Sequence, residues 1–156
     1  MARLVLTCFG AAALSAACAA MSPAQKVQDA ANDYAMSVRF GRLDLAQGRV
    51  HQTGREAFSR QHASWGNDLR VLDCELGGLR MRDNQHADII LSVSWQRIDE
   101  SEQRFTQVEQ HWTNDGGSWL LENEERTRGD VGLLGEPTKM VAPPSRPTHF
   151  QTITIR

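Results

Sequence analysis

No run in this sequence of 156 residues stays apolar over the roughly 20 positions a bilayer-spanning helix requires; its one hydrophobic stretch, Leu4 to Leu14, stops short. Basic runs are missing as well. Lysine and arginine total 17 against 19 acidic residues, the net charge is −2 and the pI is near 6.2, which leaves no electrostatic footprint for nucleic acid. Cysteine is scarce. Cys8, Cys18 and Cys74 provide neither a disulfide framework nor zinc-ligand spacing with the histidines, and no internal repeat is present. These absences point to one small domain with a single core, no metal and no cofactor.

What is present begins at the N-terminus. Met1-Ala2-Arg3 supplies a positive start, Leu4 to Leu14 an apolar segment, and the small residues around Cys18 a processing site, which together read as an export signal. Two cleavage readings follow. Residues 14–18, LSAAC, resemble a bacterial lipobox, with Ser15 where that pattern has Leu and Leu14 one residue earlier. This resemblance implies a leader of residues 1–17, acylation of Cys18, and a short tether over 18–22. Ala19 in place of Asp would then imply an outer-membrane lipoprotein facing the periplasm, its partner being the membrane through the anchor at Cys18. The alternative is cleavage after Ala20, giving a soluble periplasmic or secreted protein. Either way Cys74 stands alone, and it reads as a small buried hydrophobe in a strand.

Ser22-Pro23-Ala24-Gln25 has the form of a capping box with Pro at the first helical position, and Val27, Ala30, Ala31, Tyr34 and Val38 follow at helical spacing until Gly41. A short second helix is expected from Leu43 to Gln47. A third is expected from the Thr53-Gly54-Arg55-Glu56 capping box to Gly66. From Leu69 the period changes to two, and strands are expected through Met81, around Ile89 to Trp95, over Phe105 to Trp112 and over Ser118 to Arg126. Gly77-Gly78 shifts the phase of the first strand, the mark of a bulge, and Asn114-Asp115-Gly116-Gly117 turns the third strand into the fourth. Residues 130–156 form a Pro-rich tail, with Phe150 to Ile155 either an edge strand or a disordered end.

Helices followed by a bent antiparallel meander, with the VRFGRLDLAQGRVH stretch joining the first two helices and a closing strand pair around NDGGSW and WLLENE, resemble the NTF2-like superfamily. The resemblance covers residues 23–129. It implies an α+β fold in which N-terminal helices pack on the concave face of a curved antiparallel sheet, usually with a pocket open at one end. No catalytic motif is matched and no functional residue is carried over.

A turn centred on Asp115-Gly116 sets Trp112 against Trp119, Gln110 against Leu121 and Val108 against Asn123, with Trp95 and Val93 on the same inward face. Gln110 and Asn123 are then polar intruders in an apolar wall. Buried amides need partners, so they and Tyr34, Trp95 and Trp112 are the candidate ligand-binding residues of a pocket. His111, Glu109 and Glu122 fall on the outer face and read as solvated, and the same solvated reading is given to Glu124 and Glu125; His51 and His62 have structural or exposed roles. No catalytic set stands out. The favoured reading is a non-catalytic envelope lipoprotein binding a small apolar ligand or a partner protein. The alternative is an isomerase, cyclase or hydrolase using Asp33 or Asp44 as base with Tyr34 as hydrogen-bond donor. A scaffold role, docking a partner on the tail and the outer face, is a third.

Overall fold

The computed structural model describes residues 21–138. The leader, Cys18 and residues 139–156, with the expected strand at Phe150 to Ile155, lie outside them.

Helix α1 (Pro23–Arg39) begins where the capping box places it. The Ser22 hydroxyl accepts from the Gln25 amide at 3.2 Å, and Gln25 Oε1 accepts from the Ser22 amide at 2.9 Å. Val27, Ala30, Ala31, Tyr34, Ala35 and Val38 form its buried stripe. Helix α2 (Leu43–Gly48) follows, then a single 3-10 turn (Gln52–Gly54) and α3 (Arg55–Gln61). The third helix is shorter than expected. Its N-terminus carries no side-chain cap, and the chain leaves the helix at His62 for a series of turns through Gly66.

Four strands, β1 (Leu69–Met81), β2 (His86–Arg97), β3 (Gln103–Asp115) and β4 (Ser118–Gly129), form one antiparallel meander in the order β1-β2-β3-β4. The α+β class, helices against a curved open sheet, is the one expected. β1 carries the bulge between Leu76 and Gly78 that the glycine pair marks, and a second between Val71 and Asp73 that turns Leu72 outward. Along β2, Ala87, Ile89, Leu91, Val93 and Trp95 face the core.

Both later registers differ from expectation. A count through the Asp99 to Glu102 loop sets Val93 opposite Val108, whereas Val93 lies opposite Thr106 and Leu91 opposite Val108, a slip of two residues that leaves every face unchanged because the side-chain period is two. The last hairpin also slips by two. Gly116 and Gly117, at φ 59° and 92°, form its turn, so Trp112 pairs with Leu121. An unexpected bulge at Glu122 then reverses the phase of β4. His111 pairs with Asn123 and Gln110 with Glu124, which corrects the inward placement of Asn123: it is exposed, and Glu124 is buried.

The bulge falls where residues 49–54 dock on β4. His51 N donates to the Leu121 carbonyl and Leu121 N to the Arg49 carbonyl, each at 2.8 Å, and Gly54 packs against the Glu122 carbonyl so closely that a Cβ would collide with it.

The packed unit also runs past the boundary expected at Gly129. Leu133 and Leu134 are buried in the common core, Trp65 Nε1 donates to the Leu133 carbonyl at 2.6 Å, and Thr106 Oγ1 donates to the Asp130 carbonyl at 2.8 Å. Glu136 ties the segment together, accepting from the amides of Gly132 and Leu134 and pairing with Arg126.

Candidate functional site

The interior of the sheet's concave side holds one polar cluster, centred on Glu124. Its carboxylate accepts from Gln110 Nε2 at 3.0 Å and from the Tyr34 hydroxyl at 3.2 Å, while His62 Nε2 lies 2.8 Å from Oε1. The His62 contact is close but off the line of a straight hydrogen bond. His62 Nδ1 is 2.8 Å from the Phe58 carbonyl, an acceptor only, so that nitrogen carries a proton. Nε2, on the opposite side of the ring, is the atom that faces the carboxylate. Trp112 Nε1 donates to Gln110 Oε1 at 3.1 Å, which fixes the orientation of the amide.

Tyr34 of α1, His62 just past the end of α3, and Gln110 of β3 thus meet around one charge on β4. Burial pushes the Glu124 carboxyl up, but the facing His62 and the hydrogen bonds from Gln110 and Tyr34 outweigh it and hold the group below its usual range. Burial first, and then the Glu124 charge, push the Tyr34 phenol well above its ordinary value. The Cys74 thiol is pushed up to about 12, by burial and then by Glu124.

The residues expected to wall a cavity fill it instead. Tyr34 and Trp112 meet edge to face at 6.1 Å, Tyr34 and Phe58 at 6.3 Å, and His62 stacks on Phe58 at 4.0 Å. Trp95 donates to Thr106 Oγ1 at 2.8 Å and lies under the Arg104 guanidinium. The hollow beside Glu124 measures about 10 Å³, no more than a single water occupies. Tyr34, Gln110 and Trp112 are brought together, Trp95 is fully buried nearby on the same face, and Asn123 is removed to the far face by the bulge.

The two carboxylates considered as bases do not reach this interior. Asp33 is exposed and held by Arg49 at 2.6 Å, and Asp44 is exposed and bidentate to Arg42. On the outer face His111 binds Asp88 at 2.8 Å rather than Glu109 or Glu122, and Arg80 and Arg82 complete the shell of that carboxylate. Among the described residues no group of three or more His, Cys, Asp or Glu side chains could hold a metal ion, and no helix is long and apolar enough to cross a membrane.

Open space lies elsewhere, at the C-terminal end of α1. A groove of about 420 Å³ is lined by Val38 to Gly41, Leu43, Trp65, Gly66, Leu69 to Val71 and Ile98. Its floor is apolar, from Val38, Leu43, Trp65, Leu69 and Val71. Arg39 and Arg70 are its charged members, and Phe40 and Ile98 are 68% and 59% exposed beside it.

Glu124 and His62 are the residues that reading the sequence missed. After Leu121 both faces of β4 are polar, so no apolar alternation marks the change of phase. His62 is 62 positions from its partner, and only the fold brings the two together.

Helices laid on a curved, open, four-stranded antiparallel sheet place the chain in the cystatin-like class of α+β folds, which is related to the NTF2-like fold. The solution structure of a SEC-C motif containing protein from Rhodopseudomonas palustris is similar at a TM-score of 0.56 and 11% identity, over 69% of this chain and 83% of that one. A domain of unknown function with a cystatin-like fold from Nostoc punctiforme matches at a TM-score of 0.50 and 16% identity, over 65% of this chain and 74% of its own. A protein of unknown function from Mycobacterium tuberculosis matches at 0.50 and 13%, over 67% and 70%. At these identities the likeness is one of fold. No family model matches the sequence, and no curated protein is significantly similar to it.

Proposed function

We propose that the chain is an exported envelope protein, anchored through acyl chains on Cys18, whose domain binds a small apolar ligand without transforming it, in the groove at the end of α1. The groove carries this reading. At about 420 Å³ it lies within the 300–1,000 Å³ typical of ligand sites, its floor is apolar, and Trp65 supplies an aromatic wall. The polar cluster at Glu124 argues against catalysis, because its donors are spent on one another and the adjoining space admits no substrate.

The test is titration of the purified protein with N-phenylnaphthylamine, followed by probe fluorescence and by Trp65 quenching. Saturable binding at one site, blocked in Leu43→Trp, is expected. Absence of saturable binding, or binding that L43W leaves intact, contradicts the reading. For the anchor, mass spectrometry of the mature protein from native membranes should find an acylated N-terminal Cys18; a chain beginning at Met21 would overturn it.

A further inference from the structure

We infer that the groove takes an anionic amphiphile, a free long-chain carboxylate, with its acyl chain along the Trp65 and Leu69 floor and its head on Arg70. This rests on the groove being the ligand site, and adds the class of ligand.

The argument is one of unmatched charge. Of the cations near this end of the molecule, Arg39 lies 3.2 Å from Asp73, Arg97 is held by Asp99 and Glu100, and Arg104 is paired with Glu100. Among the described residues Arg70 has no carboxylate within ion-pair distance. It borders two hollows at once: the apolar groove, and a second space of about 320 Å³ with Gln96, Arg97 and Ile98 on the other side. A free guanidinium between an apolar slot and an open polar space matches a ligand with an apolar chain and one anionic head, since its planar fork binds a carboxylate through two parallel N–H donors. A wholly apolar ligand leaves that fork unused. A polyanion would meet one unmatched cation.

Position favours a free amphiphile over a bilayer surface. α1 has 17 residues and spans about 25 Å, so the groove lies at the far end of the helix from the tether that follows Cys18.

The experiment uses the full mature chain expressed without its leader, titrated with laurate, with dodecanol, and with vesicles of phosphatidylglycerol, in wild type and Arg70→Gln. Arg70 is exposed, and equal thermal midpoints verify that the variant folds. Laurate should bind below its micellar range and lose about tenfold in affinity in R70Q, while dodecanol binds both proteins alike. Equal affinity for laurate and dodecanol in wild type, or no loss in R70Q, overturns the carboxylate assignment and leaves the groove reading standing. If neither compound binds, both fall. Vesicle binding without binding of laurate assigns Arg70 to a membrane surface and overturns the proposal.

Discussion

Glu124 is a charge out of reach of water, kept in the fold because Gln110, Tyr34 and His62 surround it. Removing one side of such a buried pair leaves the other uncompensated, so Glu124→Ala should cost about 3 kcal/mol or more in urea unfolding. Its pH dependence has a definite sign. The folded carboxyl is held below its ordinary value of 4.5, so the stability it contributes is present above that value and disappears as pH falls through the folded value. Thermal midpoints between pH 7 and 3 should therefore fall more steeply in wild type than in Glu124→Gln; parallel curves would mean that the carboxylate is not the acid-sensitive group. Cys74 offers a second check. With its thiol pushed up to about 12 and its side chain buried, it should resist iodoacetamide in the native protein at pH 8 and react fully in urea.

Among the elements, α1 and the four strands were legible, because capping chemistry and period are local. Ser22, Pro23 and Gln25 announce the helix, and alternation from Ile89 to Trp95 announces the strand. The Glu122 bulge was not. It falls where residues 49–54 dock against β4, a contact between segments about 70 positions apart that no local pattern records. That one inserted residue exchanges Asn123 for Glu124 in the interior, and with it the identity of the polar cluster. Gly54→Ala tests the docking. Its Cβ would collide with the Glu122 carbonyl, so the change should destabilise by about 1–3 kcal/mol as a lowered urea midpoint at unchanged slope. Gly48→Ala, with open space around its Cβ, should be neutral or slightly stabilising. Equal effects would show that the close approach at Gly54 carries no energy.

At the scale of the molecule, two features follow from how the chain closes. Leu133 and Leu134 complete the core beside Trp65, so truncation after Gly129 should destabilise by several kcal/mol, about 2–5 for each buried leucine lost, read as a lowered urea midpoint. The prolines that follow exclude helix and sheet but say nothing of a short apolar plug just before them.

The second feature is the division between a filled concave interior and an open groove at the end of α1. Tyr34, Trp95, Gln110 and Trp112 are buried, yet inward polar and aromatic residues line a cavity or fill one with equal ease, and only their packing decides. Amide chemical-shift mapping with laurate separates the two most directly. The account expects saturating shifts confined to Val38 to Leu43, Trp65 to Val71 and Ile98; shifts centred on Tyr34, Gln110 and Trp112, or none at all, would contradict it.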